Sequence, residues 1–396
     1  MNLVIDCFKL VKGTGKSIGI YNLAQSVVSH LGERAECETE GKQGNSIIVL
    51  GNSYNKKDFD VPGVTFVEMK GDPLNKIYCI FWELFLVPGY AKKYRADRIL
   101  FPRGFAPLGI AKTLTGGAKG KMKDTIIIHD LIPFFYDKYY PGVFNRLENA
   151  YIMNRLKASI RQADRVITIS EHSREDILDK VPGGGKKITI IHNGLNDVSY
   201  KNVTDKAETQ TYHEQEGSGK EYIVAMTSGL PHKNAAGILR SYEAYYQLVK
   251  ADNREPLELA VIGIGDASAY EGMSEEAKAH VRCYKFFEDF ADMCKMIAGG
   301  KAYLFLSYAE GFGFPPLEAM QMGLPVVCSN RSSLPEVVGN AGLLVDPDET
   351  DAVAKALDQI VTDTALREDL VKKGYENIKR FSWETRTDLY WKELLQ

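Results

Sequence analysis

The sequence predicts an α/β protein built from two doubly wound, Rossmann-like domains that face a central cleft. Short β-branched runs alternate with helical patterns along the whole chain, runs such as TIIIH and LAVIG are apolar without alternation, and a polar segment divides the series in two. Uniformly apolar strands are typical of a parallel sheet that is covered on both faces. Strand–helix alternation of this kind is typical of a doubly wound fold.

The predicted strands form two series, one on each side of the polar segment. The first series is Leu3–Cys7, Ser46–Leu50, Val64–Val67, Arg98–Phe101, Thr125–His129, Arg165–Ile169 and Lys187–Ile191. The second series is Tyr222–Met226, Glu258–Ile262, Val281–Tyr284, Ala302–Leu306 and Pro325–Cys328. Each series begins with a strand, a glycine-containing loop and a long amphipathic helix, so we expect one Rossmann-like domain from each.

The domain boundaries follow from composition. Residues 1–197 form the predicted N-terminal domain, and residues 221–380 form the predicted C-terminal domain. Residues 198–220 form a polar linker that has few aliphatic residues and includes Gly-Ser-Gly, as is usual where few contacts cross between domains. Residues 381–396 are a final amphipathic helix.

Charge and cysteine usage exclude several classes of protein. The chain has 396 residues, with 49 Lys and Arg against 52 Asp and Glu, and a net charge of −3. There is no global basic field to bind nucleic acid. The six cysteines are scattered without a CxxC pair, which indicates free thiols in a reducing cytosol. The segment MNLVIDCF has no signal-peptide pattern, so we expect a cytoplasmic protein.

We expect neither a metal nor a cofactor. The sequence has no HExxH motif, and we expect no Asp-x-Asp pair directly after a strand. Seven histidines and six cysteines do not by themselves indicate a metalloprotein.

The most apolar stretch lies near residues 77–94, and its uncharged run is shorter than the ~20 residues of a membrane-spanning helix. It contains Glu83, and Lys92, Lys93 and Arg95 fall at its end. We interpret it as a core helix of the N-terminal domain. The alternative is a helix that faces the inner surface of a membrane and serves a lipid-linked acceptor.

A glycine loop follows the first predicted strand. The loop Gly13–Ser17 ends in GKS, but a P-loop requires glycine where this chain has Leu10. The loop nevertheless opens a helix, so the backbone amides of Ser17, Ile18 and Gly19 could bind a phosphate. The alternative is a plain turn.

The segment Ser307–Met320 follows a buried strand and carries two carboxylates. Glu310 lies in the predicted loop and Glu318 in the first helical turn, while Gly311 and Gly313 permit positive φ. The carboxylates can accept hydrogen bonds from the hydroxyls of a sugar and of a ribose. The alternative is an ordinary strand–helix turn. The predicted substrate-binding residues of this segment also include Phe312, Phe314 and Leu317.

A second loop with binding chemistry is Met226–Asn234. A strand ends there, a turn with Gly229 follows, and a helix begins near Asn234. Helix-terminal amides and the ammonium of Lys233, with His232 beside it, form a diphosphate site. A solvated lysine is the alternative interpretation.

His129 ends the predicted strand TIIIH and precedes Asp130. The carboxyl ends of parallel strands face the ligand crevice of this architecture, so a functional role is predicted. A structural histidine is the alternative.

Glu310 and Glu318 form an E-x7-E signature, and GFGFPPLEAMQMGLPVVCSNRSSLPEVVGNAGLLVDP resembles the retaining glycosyltransferases of family 4, the group 1 enzymes with the GT-B fold. TIIIHDLIPFFYDKYYP, ADRVITISEHSREDI, ITIIHNGL, SGLPHKN and FSWET agree in the expected order. The resemblance therefore covers nearly the whole chain. Within the family it is most like bacterial mannosyl- or rhamnosyltransferase-type enzymes of surface polysaccharide synthesis.

The resemblance implies residue roles. Lys233 corresponds to the lysine that holds the donor diphosphate, and His129 to a histidine that contacts the donor sugar. His232 stands where the family frequently has arginine, which leaves the second cationic contact open. The final helix is expected to return to the N-terminal domain.

The resemblance also implies the reaction. A hexose would move, with retention and without a metal, from a nucleotide-diphosphate sugar (GDP-mannose or a UDP- or dTDP-sugar) to a saccharide or lipid-linked saccharide. The C-terminal domain would bind the donor and the N-terminal domain the acceptor. The alternatives are a GT-B nucleotide-sugar epimerase and a non-catalytic nucleotide-sugar-binding partner of another transferase.

Overall fold

The computed structural model describes residues 1–13, 18–38, 45–107, 122–184, 187–196, 219–267, 271–285 and 287–395. The chain forms two compact units. The first unit is Met1–Asn193 together with the chain from Trp383 onward, and the second is Gly194–Ser382. All but the last two residues of the predicted linker 198–220 lie outside the described residues.

The first unit contains a seven-stranded parallel sheet in the order β3-β2-β1-β4-β5-β6-β7. Its strands are β1 (Asn2–Asp6), β2 (Ser46–Gly51), β3 (Thr65–Glu68), β4 (Arg98–Phe101), β5 (Lys123–Ile128), β6 (Arg165–Thr168) and β7 (Ile188–Ile190). Its helices before residue 193 are α1 (Ile18–Glu38), α2 (Lys56–Phe59), α3 (Lys76–Phe81), α4 (Val87–Lys93), α5 (Ile132–Tyr139), α6 (Arg146–Gln162) and α7 (Glu171–Lys180). A π-helical turn, Trp82–Leu86, joins α3 to α4.

The second unit contains a six-stranded parallel sheet in the order β10-β9-β8-β11-β12-β13. Its strands are β8 (Tyr222–Met226), β9 (Glu258–Ile262), β10 (Val281–Tyr284), β11 (Ala302–Phe305), β12 (Val326–Ser329) and β13 (Gly342–Val345). Its helices are α8 (Ala235–Ala251), α9 (Glu275–Lys278), α10 (Phe290–Ala298), α11 (Phe314–Gln321), α12 (Leu334–Val338), α13 (Thr350–Thr362) and α14 (Thr364–Ile378). Short 3₁₀ turns occupy Pro231–Lys233 and Lys379–Phe381.

The predicted fold class is confirmed, since each unit is a doubly wound parallel sheet. In both sheets the strand order reverses beside the first strand, at the β1/β4 pair and at the β8/β11 pair. This is the topological switch point at which open α/β sheets bind ligands.

All twelve predicted strands are present, with ends within two residues of the predicted ones. The analysis of the sequence missed β13, which is four residues long, forms the edge of the sheet beside β12 and leaves Leu344 exposed. A short, half-exposed edge strand carries too little apolar pattern to be separated from the loops around it.

The last helix, α15 (Trp383–Leu395), belongs to the first unit. The ring of Trp383 stacks on His30 of α1 at 4.8 Å, and the guanidinium of Arg34 lies 5.2 Å from the centre of the Trp391 ring. The carboxylate of Glu393 forms an ion pair with Arg165 at 2.9 Å. Contacts of this kind join the end of the chain to its beginning.

Within the described ranges, no helix combines the length and the apolarity that are needed to cross a membrane.

Loss of the α15 contacts should destabilise the first unit. Trp391 is buried, so we expect Trp391→Ala to lower the free energy of unfolding by about 3–5 kcal/mol. Leu389→Ala on the same helix removes a partly exposed side chain and should cost less than about 1.5 kcal/mol. Urea unfolding followed by circular dichroism measures both. Equal effects of the two variants would contradict the packing described for this helix.

Candidate active site

The candidate site is built at the switch point of the second sheet. Strands β8 and β11 are hydrogen-bonded neighbours there, with Val224 opposite Tyr303. Because parallel strands end on the same edge, the loop after β8 and the loop after β11 leave the sheet side by side. The first loop carries Lys233 and the second carries Glu310.

Asn234 fixes the loop that follows β8. Its backbone is left-handed, with a φ of 55°, a conformation that asparagine tolerates better than most residues. Its side-chain Oδ1 accepts a hydrogen bond from the amide of Gly237 at 3.0 Å and caps α8. Its Nδ2 donates to the carbonyl of Leu306, at the end of β11, at 3.1 Å. One side chain therefore caps the helix and ties the two loops together.

The carbonyl of His232 makes the second connection between these loops. It accepts hydrogen bonds from the amide of Tyr308 at 2.7 Å and from the hydroxyl of Ser307 at 3.0 Å. The hydroxyl of Thr227 donates to the carbonyl of Lys233 at 2.8 Å, inside the first loop. These hydrogen bonds fix the backbone of both loops, and they therefore fix the point from which the Lys233 side chain extends.

Lys233 and Glu310 form an ion pair. Nζ of Lys233 lies 2.6 Å from Oε1 of Glu310, and the two side chains are 25% and 11% exposed. Two serines after β12 hold the backbone of Glu310: its amide donates to the hydroxyl of Ser332 at 2.9 Å, and the hydroxyl of Ser333 donates to its carbonyl at 3.0 Å. A half-buried pair of this kind, between fixed loops, is a preorganised polar site.

The amino ends of two helices differ in the donors they offer near this pair. At α8 the amide of Gly237 donates its hydrogen bond to the capping side chain of Asn234. No described residue accepts a hydrogen bond from the amides of Ala235 and Ala236. At α11 the second and third residues are Pro315 and Pro316, which have no N–H. Helix α8 is therefore the better of the two as an anion site.

Gly313 is the residue of the E-x7-E segment that requires glycine. Its φ is 109°, and an added Cβ would lie 2.7 Å from Cδ2 of Leu334. The helix begins at Phe314, so Glu318 lies at its fifth position rather than in its first turn. Glu318 lies close to α10, where burial first, and then the charge of Glu318, raise the pKa of Cys294 to about 12.

Two predicted substrate-binding side chains are buried. Leu317 is fully buried, and the ring of Phe312 packs edge-on against Phe314 and Phe381 at 5.2 and 5.4 Å. Their side chains shape the unit and do not line an open surface. Gly229 is exposed, with nothing within 4 Å of an added Cβ.

His232 lies beside Lys233 but is buried. Burial, followed by the charge of Lys233, lowers the pKa of His232 to about 4. The imidazole is therefore neutral at pH 7, and it does not supply the positive charge of the arginine that the resemblance expects at this position.

His129 is placed at the carboxyl edge of the first sheet, next to the β1/β4 switch point. Its Nε2 donates to the carbonyl of Pro102 at 2.7 Å, because a carbonyl can only accept. Burial lowers the pKa of His129 to about 4. The ring is therefore neutral near pH 7, and its Nδ1 carries a lone pair that can accept a hydrogen bond.

The analysis of the sequence missed a group of charged side chains at the end of β1. Asp6, at the end of β1, accepts hydrogen bonds through Oδ1 from the amide of Phe8 and the indole of Trp82. Burial raises the pKa of Asp6 to about 6. Lys9 forms an ion pair with the buried Glu83 at 2.6 Å. Glu83 could have been noticed, because a lone carboxylate within an apolar run requires a partner.

Gly19 is exposed in the first turn of α1, and Ser17 lies outside the described residues.

One expectation about metals needs correction. Asp346 and Asp348 form an Asp-x-Asp pair directly after β13, the strand that was missed. Arg331 pairs with these carboxylates at 2.7 and 3.5 Å, and the hydroxyl of Tyr308 donates to Asp348 at 2.6 Å. In the described part of the chain, no group of three or more His, Cys, Asp and Glu side chains could hold a metal ion.

Solved structures with the same fold place the chain in the GT-B class. It matches sucrose-phosphate synthase of Thermosynechococcus elongatus with a TM-score of 0.67 and 18% identity, over 98% of this chain and 96% of that one. It matches HepE of Anabaena in complex with UDP and glucose at 0.67 and 17%, over 100% and 99%. It matches WaaG, a glycosyltransferase involved in lipopolysaccharide biosynthesis, at 0.66 and 12%, over the whole of both chains.

Family models resolve the class further. Residues 208–377 match Glycosyl transferases group 1, and residues 40–198 match Glycosyltransferase Family 4. The two matches together cover most of the chain, which belongs to the family 4 glycosyltransferases.

Curated relatives carry mannosyltransferase names. The chain is 29% identical over 269 residues to O-antigen chain mannosyltransferase B of Escherichia coli, covering 65% of this chain and 66% of that protein. It is 26% identical over 278 residues to the serotype-specific mannosyltransferase WbdA of Escherichia coli, covering 67% and 32%. It is 26% identical over 243 residues to O-antigen chain mannosyltransferase RfbU of Salmonella typhimurium, covering 60% of each. The matched part therefore spans slightly less than two thirds of the first relative and about a third of WbdA.

His129 and His232 should titrate far below the ordinary pKa of a histidine. We expect His129 and His232 to stay neutral until the pH falls to about 4, as measured by NMR titration with His129→Gln and His232→Gln for assignment. Between pH 6.5 and about 4 the unfolded chain binds protons that the folded chain does not, so the free energy of unfolding falls as the pH is lowered. Titration of either ring near pH 6.5 would contradict its burial.

Proposed function

We propose that the chain is a retaining glycosyltransferase that moves a hexose from a nucleotide-diphosphate sugar to a saccharide acceptor. The observation that supports this most strongly is the Lys233–Glu310 pair at the switch point of the second sheet. A cation beside a helix amino end suits a diphosphate, and a carboxylate next to it suits sugar hydroxyls. Family membership supports the same activity.

Lys233 is assigned to the donor diphosphate. Its ammonium has three N–H donors, of which one is used by Oε1 of Glu310. The others, with the amides of Ala235 and Ala236 and the dipole of α8, would bind phosphate oxygens. The same charges would stabilise the diphosphate as it leaves.

Glu310 is assigned to the transferred sugar. Oε1 is bound to Lys233, and no described residue bonds Oε2, which is available to accept from hydroxyl groups. Glu318, half-buried on α11, is assigned to the ribose of the donor. The backbone of Gly311, held by its neighbour Glu310, would approach the sugar closely.

His129 is assigned to the donor sugar. Its Nδ1 can accept a hydrogen bond from one of the hydroxyl groups of that sugar. We assign the acceptor to the first unit. In the reaction the bond from the anomeric carbon to the phosphate oxygen breaks, and a bond to the acceptor oxygen forms on the same face. The acceptor proton passes to the departing diphosphate, so the protein needs no nucleophile of its own.

The relatives suggest the substrates. Their names point to mannose and to O-antigen saccharides, so GDP-mannose is the first donor that we propose, with UDP- and dTDP-sugars as the others. We propose a saccharide or lipid-linked saccharide as acceptor, used at the inner face of the membrane.

The test is turnover by the purified full chain. GDP-mannose, UDP-glucose and dTDP-rhamnose are offered with lipid-linked and soluble saccharide acceptors, with and without EDTA. We expect acceptor-dependent release of the nucleoside diphosphate, a product that keeps the anomeric configuration of the donor, and no loss of rate with EDTA, because Lys233 and helix amides take the place of a metal. Release of an isomerised nucleotide sugar without acceptor would indicate an epimerase. No turnover of any donor would indicate a non-catalytic partner.

Lys233→Ala should lower turnover by about 10²–10³, the usual cost of removing one preorganised donor to developing charge. Lys301→Ala is the matched control, because Lys301 pairs with the exposed Glu221 at the opposite end of β11. It should leave turnover unchanged. Circular dichroism checks the fold of both variants. A folded Lys233→Ala enzyme that turns over as fast as Lys301→Ala would refute the diphosphate assignment.

A further inference from the structure

One helical segment of the first unit is buried on one face and apolar on the other. It runs through α3, the π-helical turn and α4. Trp82, Val87 and Ala91 are buried in the core of the unit. Ile77, Phe81 and Phe85 follow one another at intervals of four residues and are 81%, 49% and 49% exposed.

Helix α6 extends this exposed surface. Lys76 at the start of α3 pairs with Glu148 of α6 at 3.2 Å, so the two helices are neighbours at their amino ends. Leu147, next to Glu148, is 81% exposed, and Tyr151 is one turn further along. The α3–α6 surface consists of Leu74, Ile77, Phe81, Phe85, Leu147 and Tyr151.

Exposed apolar side chains that cluster in this way mark an interaction site more often than those scattered singly. The rings of Phe81 and Phe85 lie 5.2 Å apart and present a continuous aromatic area. Packing within the unit does not explain this face, because the same helices already bury their opposite face in the core.

The charges around the surface indicate what covers it. Between residues 74 and 95 the only acidic residue is Glu83, which is buried and paired with Lys9. The exposed charges of this segment are all positive, on Lys76, Lys92, Lys93 and Arg95. Glu148 of α6 is the acidic residue beside the surface, and it is paired with Lys76, so Lys92, Lys93 and Arg95 carry the net positive charge. An apolar strip with aromatic residues and flanking lysines is the pattern of a segment that lies in the headgroup region of an anionic bilayer.

Lys93 has the geometry expected at such an edge. Its ammonium lies 5.9 Å from the centre of the Tyr90 ring and 5.3 Å from that of Tyr94. Amphipathic tyrosines and long lysines place their apolar parts toward the acyl chains and their polar ends toward the headgroups.

We infer that the α3–α6 surface binds peripherally to an anionic phospholipid bilayer. Ile77, Phe81, Phe85 and Leu147 enter the headgroup region, and Lys92 and Lys93 contact lipid phosphates. This adds a surface to the proposed function, and its test requires no turnover.

The test is sedimentation of the full chain with vesicles. One set contains phosphatidylcholine with phosphatidylglycerol, and the other contains phosphatidylcholine alone. The wild-type chain should bind the anionic vesicles in a salt-dependent manner and bind the neutral ones weakly. The triple variant Ile77→Ser, Phe81→Ser, Phe85→Ser should bind the anionic vesicles at least about tenfold more weakly, since it removes most of the inserted apolar area.

The lysines are tested separately. Lys92→Gln with Lys93→Gln should weaken binding to anionic vesicles by roughly thirtyfold, the effect of two lysines near a charged bilayer, and should leave binding to neutral vesicles unchanged. Leu178→Ser is the control, because Leu178 is exposed on α7 of the same unit but lies outside the surface. It should bind as the wild type does.

Thermal unfolding and transfer to a soluble acceptor should be unchanged in every variant, because all the substituted side chains are exposed. No binding of the wild type to anionic vesicles, or equal binding by the triple variant, would overturn the inference. Self-association of the wild type that the triple variant abolishes, without vesicle binding, would assign the surface to a second copy of the chain instead. Vesicle binding without transferase activity would support the surface and refute the proposed function.

Discussion

Strands β8 and β11 are far apart in the sequence and are hydrogen-bonded neighbours in the sheet. Their pairing determines which two loops meet at the carboxyl edge, and so which side chains can act together. The loop after β8 carries Lys233 and the loop after β11 carries Glu310. These two residues are far apart in the sequence, and only the strand order brings them into an ion pair. The site is thus a product of strand order, and Asn234 and the carbonyl of His232 fix it in place.

Burial controls charge at both switch points. The lowered pKa values leave His232 and His129 neutral, while Lys233 is partly exposed and forms an ion pair with Glu310. A single strong cation in the loop therefore faces the proposed diphosphate, and the neutral histidine beside it contributes shape and a backbone carbonyl. His232 therefore does not supply the positive charge of the arginine that the resemblance expects at its position.

The sequence was sufficient to predict the parts of the fold that have a periodic signal. Buried parallel strands are uniformly apolar, so twelve of them were found with ends close to those observed. Strand β13 is short and half-exposed, so its pattern is weak, and the Asp346–Asp348 pair after it was missed as well. Local signals also placed the loops of Lys233 and Glu310 and the start of a helix near Asn234.

The remaining features of the site depend on long-range contacts that no local pattern encodes. The pairing of Lys233 with Glu310 requires the strand order, and the support from Ser332 and Ser333 requires β12 to lie beside β11. The buried network of Asp6, Lys9 and Glu83 joins residues that are far apart in the sequence. Burial of Phe312 and Leu317 could not be separated from exposure, because aromatic and aliphatic residues serve both cores and ligand sites.

Helix α15 has a consequence for synthesis on the ribosome. The first unit contains the beginning and the end of the chain, so Arg34, Arg165 and His30 have no partners from α15 until the whole second unit has been translated. At ~5–20 residues per second, the stretch between residues 193 and 383 takes roughly 10–40 s to synthesise. During that interval the nascent first unit exposes the groove that Trp391 will fill, and the second unit can fold before the first is complete.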